Sequence, residues 1–152
     1  MFDEIVSIAT ALGVVGTGLA ILIGVRELKQ AEEHARTTFE DDLCREYRSI
    51  LAELPAESFF TDGALPPDRE TLRVFYRYVD LSNEQLFLGR SKRVRESTLD
   101  EWCAGIRGNL ESLPAFQSAW AEIATRVPPD FFKELKALAP PAKGPPSGTD
   151  VT

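Results

Sequence analysis

The feature that most constrains this chain is the stretch Ile5 to Val25 (IVSIATALGVVGTGLAILIGV), which holds no charged residue and only Ser7, Thr10 and Thr17 as polar ones. As a helix rising 1.5 Å per residue it would be about 31 Å long, close to the roughly 30 Å hydrocarbon thickness of a bilayer. The expectation is a transmembrane anchor over residues 1–25 that crosses the membrane once. A cleaved signal peptide needs a positively charged start and a small-x-small cleavage site. Here Asp3 and Glu4 precede the run, and it passes from Val25 directly into Arg26-Glu27-Leu28-Lys29. A buried core helix can also be apolar all round, but the length favours a membrane span. No Lys or Arg precedes the span, whereas Arg26, Lys29 and Arg36 follow it, so the positive-inside rule puts the N-terminus outside and the rest of the chain in the cytoplasm.

Gly16, Ala20 and Gly24 recur at every fourth position of the span, and Ala9, Gly13 and Thr17 form a second stripe. Small residues at this spacing let helix backbones approach closely in lipid, which makes the stripe a candidate contact for a partner helix. Gly13-x-x-Gly16-x-Gly18 has its glycines in the reverse order of a dinucleotide fingerprint, and no strand precedes it.

Removing the anchor and a loose tail from the 152 residues leaves one domain of about a hundred. With 24 acidic against 17 basic side chains the net charge is -7, which argues against nonspecific nucleic-acid binding as the main work of the chain. Cys44 and Cys103 lie in different expected helices, without a CxxC partner or a neighbouring His. Both are expected as free thiols packed like small hydrophobes.

Arg26 to Leu54 contains neither Gly nor Pro, and its apolar positions are Leu28, Ala31, Ala35, Phe39, Leu43, Tyr47, Ile50 and Leu54. Leu28, Phe39 and Ile50 are spaced by eleven, as are Leu43 and Leu54, which suits a nearly straight helix continuing the anchor. Its polar face, including Glu27, Glu32, Glu33 and Arg36, suits solvent and ion pairs. Pro55 to Pro67 reads as a connector with an Asp62-Gly63 turn, pinned to the core by Phe59 and Phe60. A helix from about Pro67-Asp68 to Leu88 would bury Leu72, Phe75, Tyr76, Val79, Leu86 and Phe87, with Asn83 on the same stripe. Thr98-x-x-Glu101 has the form of a capping box before a helix burying Leu99, Trp102, Cys103, Ile106 and Leu110. A fourth helix from Pro114 to Arg126 would bury Phe116, Ala119, Trp120 and Ile123. A short last one within Asp130 to Leu138 would use Phe131, Phe132, Leu135 and Leu138.

The fold class is therefore all-α: a single N-terminal transmembrane helix continuing into a long helix, followed by a small antiparallel helical bundle. The cytoplasmic domain spans 26–138, and the Pro- and Gly-rich stretch 139–152 (APPAKGPPSGTDVT) is expected to be a disordered tail.

The segments Tyr78-Val79-Asp80-Leu81 with Glu84 and Phe87-Leu88-Gly89, Glu101-Trp102 with Gly105-Ile106, and Pro114-Ala115-Phe116 with Ala119-Trp120 are together similar to a family of bacterial proteins of unknown function. That family joins one N-terminal membrane helix to a small cytoplasmic helical domain. The resemblance covers about a third of the chain. It implies the bacterial inner membrane as location and carries over no catalytic residue.

Two places hold candidate chemistry. Arg90, Lys92, Arg93 and Arg95 form a basic loop that is either a solvated turn or a contact for anionic lipid headgroups or an acidic partner. Asn83 and Glu84 lie together in an aromatic-rich helix, where a buried Glu84 would be raised in pKa and able to act as acid or base. Asp42 with Glu46 and Asp80 with Glu84 are carboxylate pairs at helical spacing. His34 is the single histidine, so no multi-histidine metal site is expected, and no phosphate loop, nucleophile elbow or HExxH helix is present. No cofactor is expected. The reading is a single-pass membrane-anchored helical interaction module, with membrane lipid and another protein as partners, recruiting that protein or serving as accessory subunit of a membrane complex. The alternative is a membrane-anchored enzyme with an acidic site around Glu84.

Overall fold

The computed structural model describes residues 2–62 and 68–139, with side chains described from residue 21. All regular structure among these is helical: α1 (Phe2–Ala52), a 3-10 turn (Ala56–Phe59), α2 (Arg69–Arg90), α3 (Glu96–Ser112), α4 (Pro114–Arg126) and α5 (Lys133–Leu138). The chain divides into two compact units, Met1–Phe39 and Glu40–Thr152. The division falls well beyond Val25, the expected end of the anchor. The expected tail beyond Ala139 lies outside the described residues.

The first unit is helical throughout its described length. Its described apolar side chains are exposed: Ile21 at 61%, Leu22 at 68% and Leu28 at 72%. Gly16 and Ala20 lie outside the described side chains, as does most of the expected span. No helix among the described residues is long and apolar enough to cross a membrane. A Cβ added at Gly24 would meet no atom within 4 Å, so contacts within the chain do not require a glycine there. Farther along, Arg36 pairs with Glu32 at 3.7 Å on the exposed polar face.

The second unit is built around α2, against which α3, α4 and α5 all pack. Because α2 is covered on several sides, its buried face is broad: Val74, Phe75, Tyr78, Val79, Leu81, Ser82, Gln85, Leu86 and Leu88. Tyr76 and Phe87, expected in the core, are instead exposed. The centre of the face runs through Ser82 and Gln85, whose polarity disguises it in the sequence. Phe116 from α4 meets Phe75 and Tyr78 in near-perpendicular ring contacts at separations of 4.9 and 5.0 Å, an arrangement that adds to plain burial.

The part of α1 in this unit buries Glu40, Leu43 and Ile50, with Tyr47 partly buried between them, and Leu54 just beyond the helix end continues the buried row. The steps alternate three and four, so Leu43 and Leu54 are buried eleven apart as expected, whereas Leu28 and Phe39 of the other eleven-residue set are exposed and only its Ile50 is buried. In the connector, Ser58 is buried, and Phe59 touches Phe116 at 5.9 Å while Phe60 is exposed. Only the first of the two phenylalanines therefore pins the segment.

Helix α2 starts on Asp68, whose Oδ1 accepts the Thr71 amide at 2.7 Å and whose carboxyl is held below the usual range mainly by that bond. It ends at Lys92, in the left-handed conformation at φ 56°. The Lys92 amide donates to Gly89 O and the Arg93 amide to Leu88 O, the paired bonds of a Schellman stop with lysine where glycine is usual. Gly89 serves a second purpose, since a Cβ there would collide with the Leu99 side chain of α3.

Candidate functional site

Helices α3, α4 and α5 lack side-chain caps of their own, and the first and last of them are capped from elsewhere in the chain. Helix α3 begins at Glu96 with Arg95 at its cap position, which places Thr98 and Glu101 inside the helix and prevents the expected capping box. The cap comes from α1. Glu40 accepts the Arg95 amide on Oε1 at 2.6 Å, while its Oε2 takes Arg95 Nη1 at 2.6 Å and the Thr98 hydroxyl at 3.2 Å. Helix α5 starts at Phe132, held at φ 55° with no side-chain cap of its own. Here the carboxamide oxygen of Asn83 on α2 accepts the amides of Glu134 and Leu135 at 3.1 and 3.2 Å.

A third polar contact crosses the core. Asn109 Nδ2 donates to Tyr78 Oη at 3.1 Å and to Tyr47 Oη at 3.3 Å, joining α3 to α2 and α1. Burial raises the Tyr78 phenol well above its ordinary pKa, with the Asn109 bond acting in the opposite direction. These groups are structural, since each satisfies backbone or side-chain polar atoms of a neighbouring helix.

Among the described residues an open groove of about 560 Å³ lies between α2 and the end of α4. Leu72 and Tyr76 from α2, with Ile123 and Val127 from α4 and the residue after it, supply its apolar surface. Arg69, Arg73, Arg77 and Arg126 line it as the charged residues. Arg73 pairs with Glu70 at 2.8 Å, Arg77 with Glu53 at 2.7 Å and Arg126 with Glu122 at 2.6 Å. Such solvent-exposed pairs contribute on the order of 1 kcal/mol or less. Each pair engages a single terminal nitrogen of its arginine, which leaves the remaining guanidinium N–H groups as donors for a ligand.

The expected basic loop is divided in its roles. Arg95 is bound to Glu40, and Arg90 Nη1 lies 2.6 Å from Glu134 Oε2 in a close ion pair that is not an aligned hydrogen bond. Lys92 and Arg93 are exposed. Glu84 is also exposed, and the oxygen of Asn83 is occupied by α5, so the two do not assemble as a buried acid-base pair. Cys44 and Cys103 are both free, and burial raises the Cys103 thiol pKa. Among the described residues no three His, Cys, Asp or Glu side chains gather to hold a metal ion.

Sequence reasoning missed Glu40, although its position three before Leu43 continues the buried spacing through Tyr47, Ile50 and Leu54. It also passed over the groove, whose signal is Arg69, Arg73 and Arg77 at intervals of four with Leu72 and Tyr76 between them. Asn109 carries no comparable signal. Compared with family models, curated proteins and solved structures, the chain matches none.

Proposed function

We propose that this chain is a single-pass membrane-anchored helical interaction module, held by Ile5 to Val25 and recruiting a protein partner or acting as accessory subunit of a membrane complex. The observation that carries this reading is the groove between α2 and α4, an apolar surface bordered by four arginines on a strongly acidic chain. Polar groups that stand out in the sequence, Asn83 and Arg95 among them, are engaged in holding helices together, whereas the groove faces outward. The anchor is supported by the uncharged run and by the exposure of Ile21, Leu22, Ile23 and Val25 at its end. Arg26 and Lys29 orient it with the bundle in the cytoplasm.

Alkaline carbonate extraction tests the anchor: the protein stays in the membrane pellet, and release into the supernatant would overturn it. A photoreactive amino acid in place of Arg73 tests the docking surface. It should capture a protein in intact membranes, whereas the same group in place of Lys92 should not. Capture from neither position, or equally from both, would refute the groove as the recruiting surface.

A further inference from the structure

Arg69, Arg73 and Arg77 stand one turn apart on one face of α2, and Arg126 lines the groove from α4. Eight residues at 1.5 Å give this row a length of about 12 Å, enough to seat two turns of a helix. Arg69 is the first residue of α2, where the helix dipole disfavours a cation. Helix stability therefore does not explain a positive charge there. The arginine side chains that do have acid partners hold them in exposed pairs weak enough to exchange for a ligand's carboxylates, and a guanidinium fork suits carboxylate geometry.

Resting on the reading of this groove as a docking surface, we propose that its occupant is an acidic amphipathic helix of a protein partner. Apolar side chains of that helix at i, i+3, i+4 and i+7 cover Leu72, Tyr76 and Ile123, and flanking carboxylates meet Arg69 and Arg73 on one side and Arg126 on the other. A lipid carries its charge at one end, whereas the cations of this groove are spread along its length. That distribution matches a helix with acidic residues on every turn.

The test uses the full chain purified in a nonionic detergent and a fluorescein-labelled synthetic helix of about 14 Leu and Glu residues with Leu at the four apolar positions. Fluorescence anisotropy should show binding of this probe and not of its Lys-for-Glu counterpart. Reversal of charge in Arg69→Glu/Arg73→Glu, and separately in Arg126→Glu, should weaken binding about tenfold or more. Lys92→Glu/Arg93→Glu changes net charge by the same amount as the first pair and should leave binding unaltered. Circular dichroism and urea midpoints confirm that each variant is folded, and the Arg126→Glu variant tests the opposite wall if the double variant unfolds.

Equal weakening by the loop variant, or no binding of the acidic helix, overturns the proposal. Displacement of the probe by phosphatidylglycerol vesicles with the same arginine dependence overturns it in favour of a lipid headgroup. Self-association that disappears on charge reversal overturns it in favour of a second copy of this chain. Photocapture from position 73 without binding of the acidic helix removes this occupant while leaving the docking surface intact, so the two failures are distinguishable.

Discussion

Glu40 grips Arg95 at two points, its Oε1 on the backbone amide and its Oε2 on the guanidinium, each at 2.6 Å. The carboxylate is buried and the arginine one-third exposed, so removal leaves an uncapped helix start and a partly buried cation without its partner. Glu40→Ala is expected to destabilise the second unit by about 2–3 kcal/mol, below the full cost of breaking a deeply buried pair because Arg95 still reaches water. Glu40→Gln keeps the acceptor oxygen and should lose about half as much. Urea unfolding followed by tryptophan fluorescence measures both.

Asn83 acts on α5 alone. Asn83→Ala is expected to cost about 1–2 kcal/mol, the range of a lost cap, and Asn83→Asp to recover most of it because a carboxylate accepts the same amides at a helix N-terminus. Hydrogen exchange should accelerate at Glu134 and Leu135 in the alanine variant, while amides at the centre of α2 change much less.

Lys92 adopts a backbone conformation that glycine enters without steric cost. Lys92→Gly should stabilise the protein by roughly 0.5–1 kcal/mol after allowing for the greater freedom of glycine in the unfolded chain. Lys92→Val should destabilise it. A rise in the urea midpoint for glycine and a fall for valine would confirm the stop geometry of α2.

The Tyr78 phenol has a folded pKa above its unfolded value. Its contribution is complete below the unfolded pKa and is lost as pH rises, because the unfolded chain releases its proton first. Stability should therefore decline above about pH 10, by at most about 1.4 kcal/mol per pH unit from this group. Tyr78→Phe should be less stable at neutral pH by about 1 kcal/mol, having lost the Asn109 bond, yet show a shallower alkaline decline. Urea unfolding at pH 8 to 11 separates the two effects.

The close approach of Gly89 to Leu99 predicts coupling between α2 and α3. Gly89→Ala forces Leu99 to move and Leu99→Ala leaves a gap, whereas the double variant relieves both. Its loss should fall short of the sum of the single losses by about 1 kcal/mol.

The helical class and the main apolar anchors were legible because they depend on local periodicity. Phe116, Ala119, Trp120 and Ile123 are buried as their spacing on α4 implies. Tyr76 and Phe87 were misplaced because α2 is covered on several sides, and a stripe chosen by hydrophobicity alone omits Ser82 and Gln85. The Thr98 and Glu101 pattern failed for a different reason: the helix begins two residues earlier, at Glu96, where a remote carboxylate holds the Arg95 amide at the cap position. Glu40 lies 55 residues from Arg95, and Asn83 lies 51 from Glu134, distances over which a sequence pattern names no partner. The groove depends likewise on α4 lying beside α2, so its regular row of arginines reads in the sequence as an ordinary solvated helix face.

Both remote caps precede, in chain order, the helices they serve. During synthesis from the N-terminus, Glu40 is made before α3 and Asn83 before α5, so each late helix emerges to meet an acceptor already present. The reverse order would leave bare amide groups waiting for a residue not yet translated. A ribosome-bound chain that has released α1 and α2 thus already carries the acceptors that α3 and α5 will use.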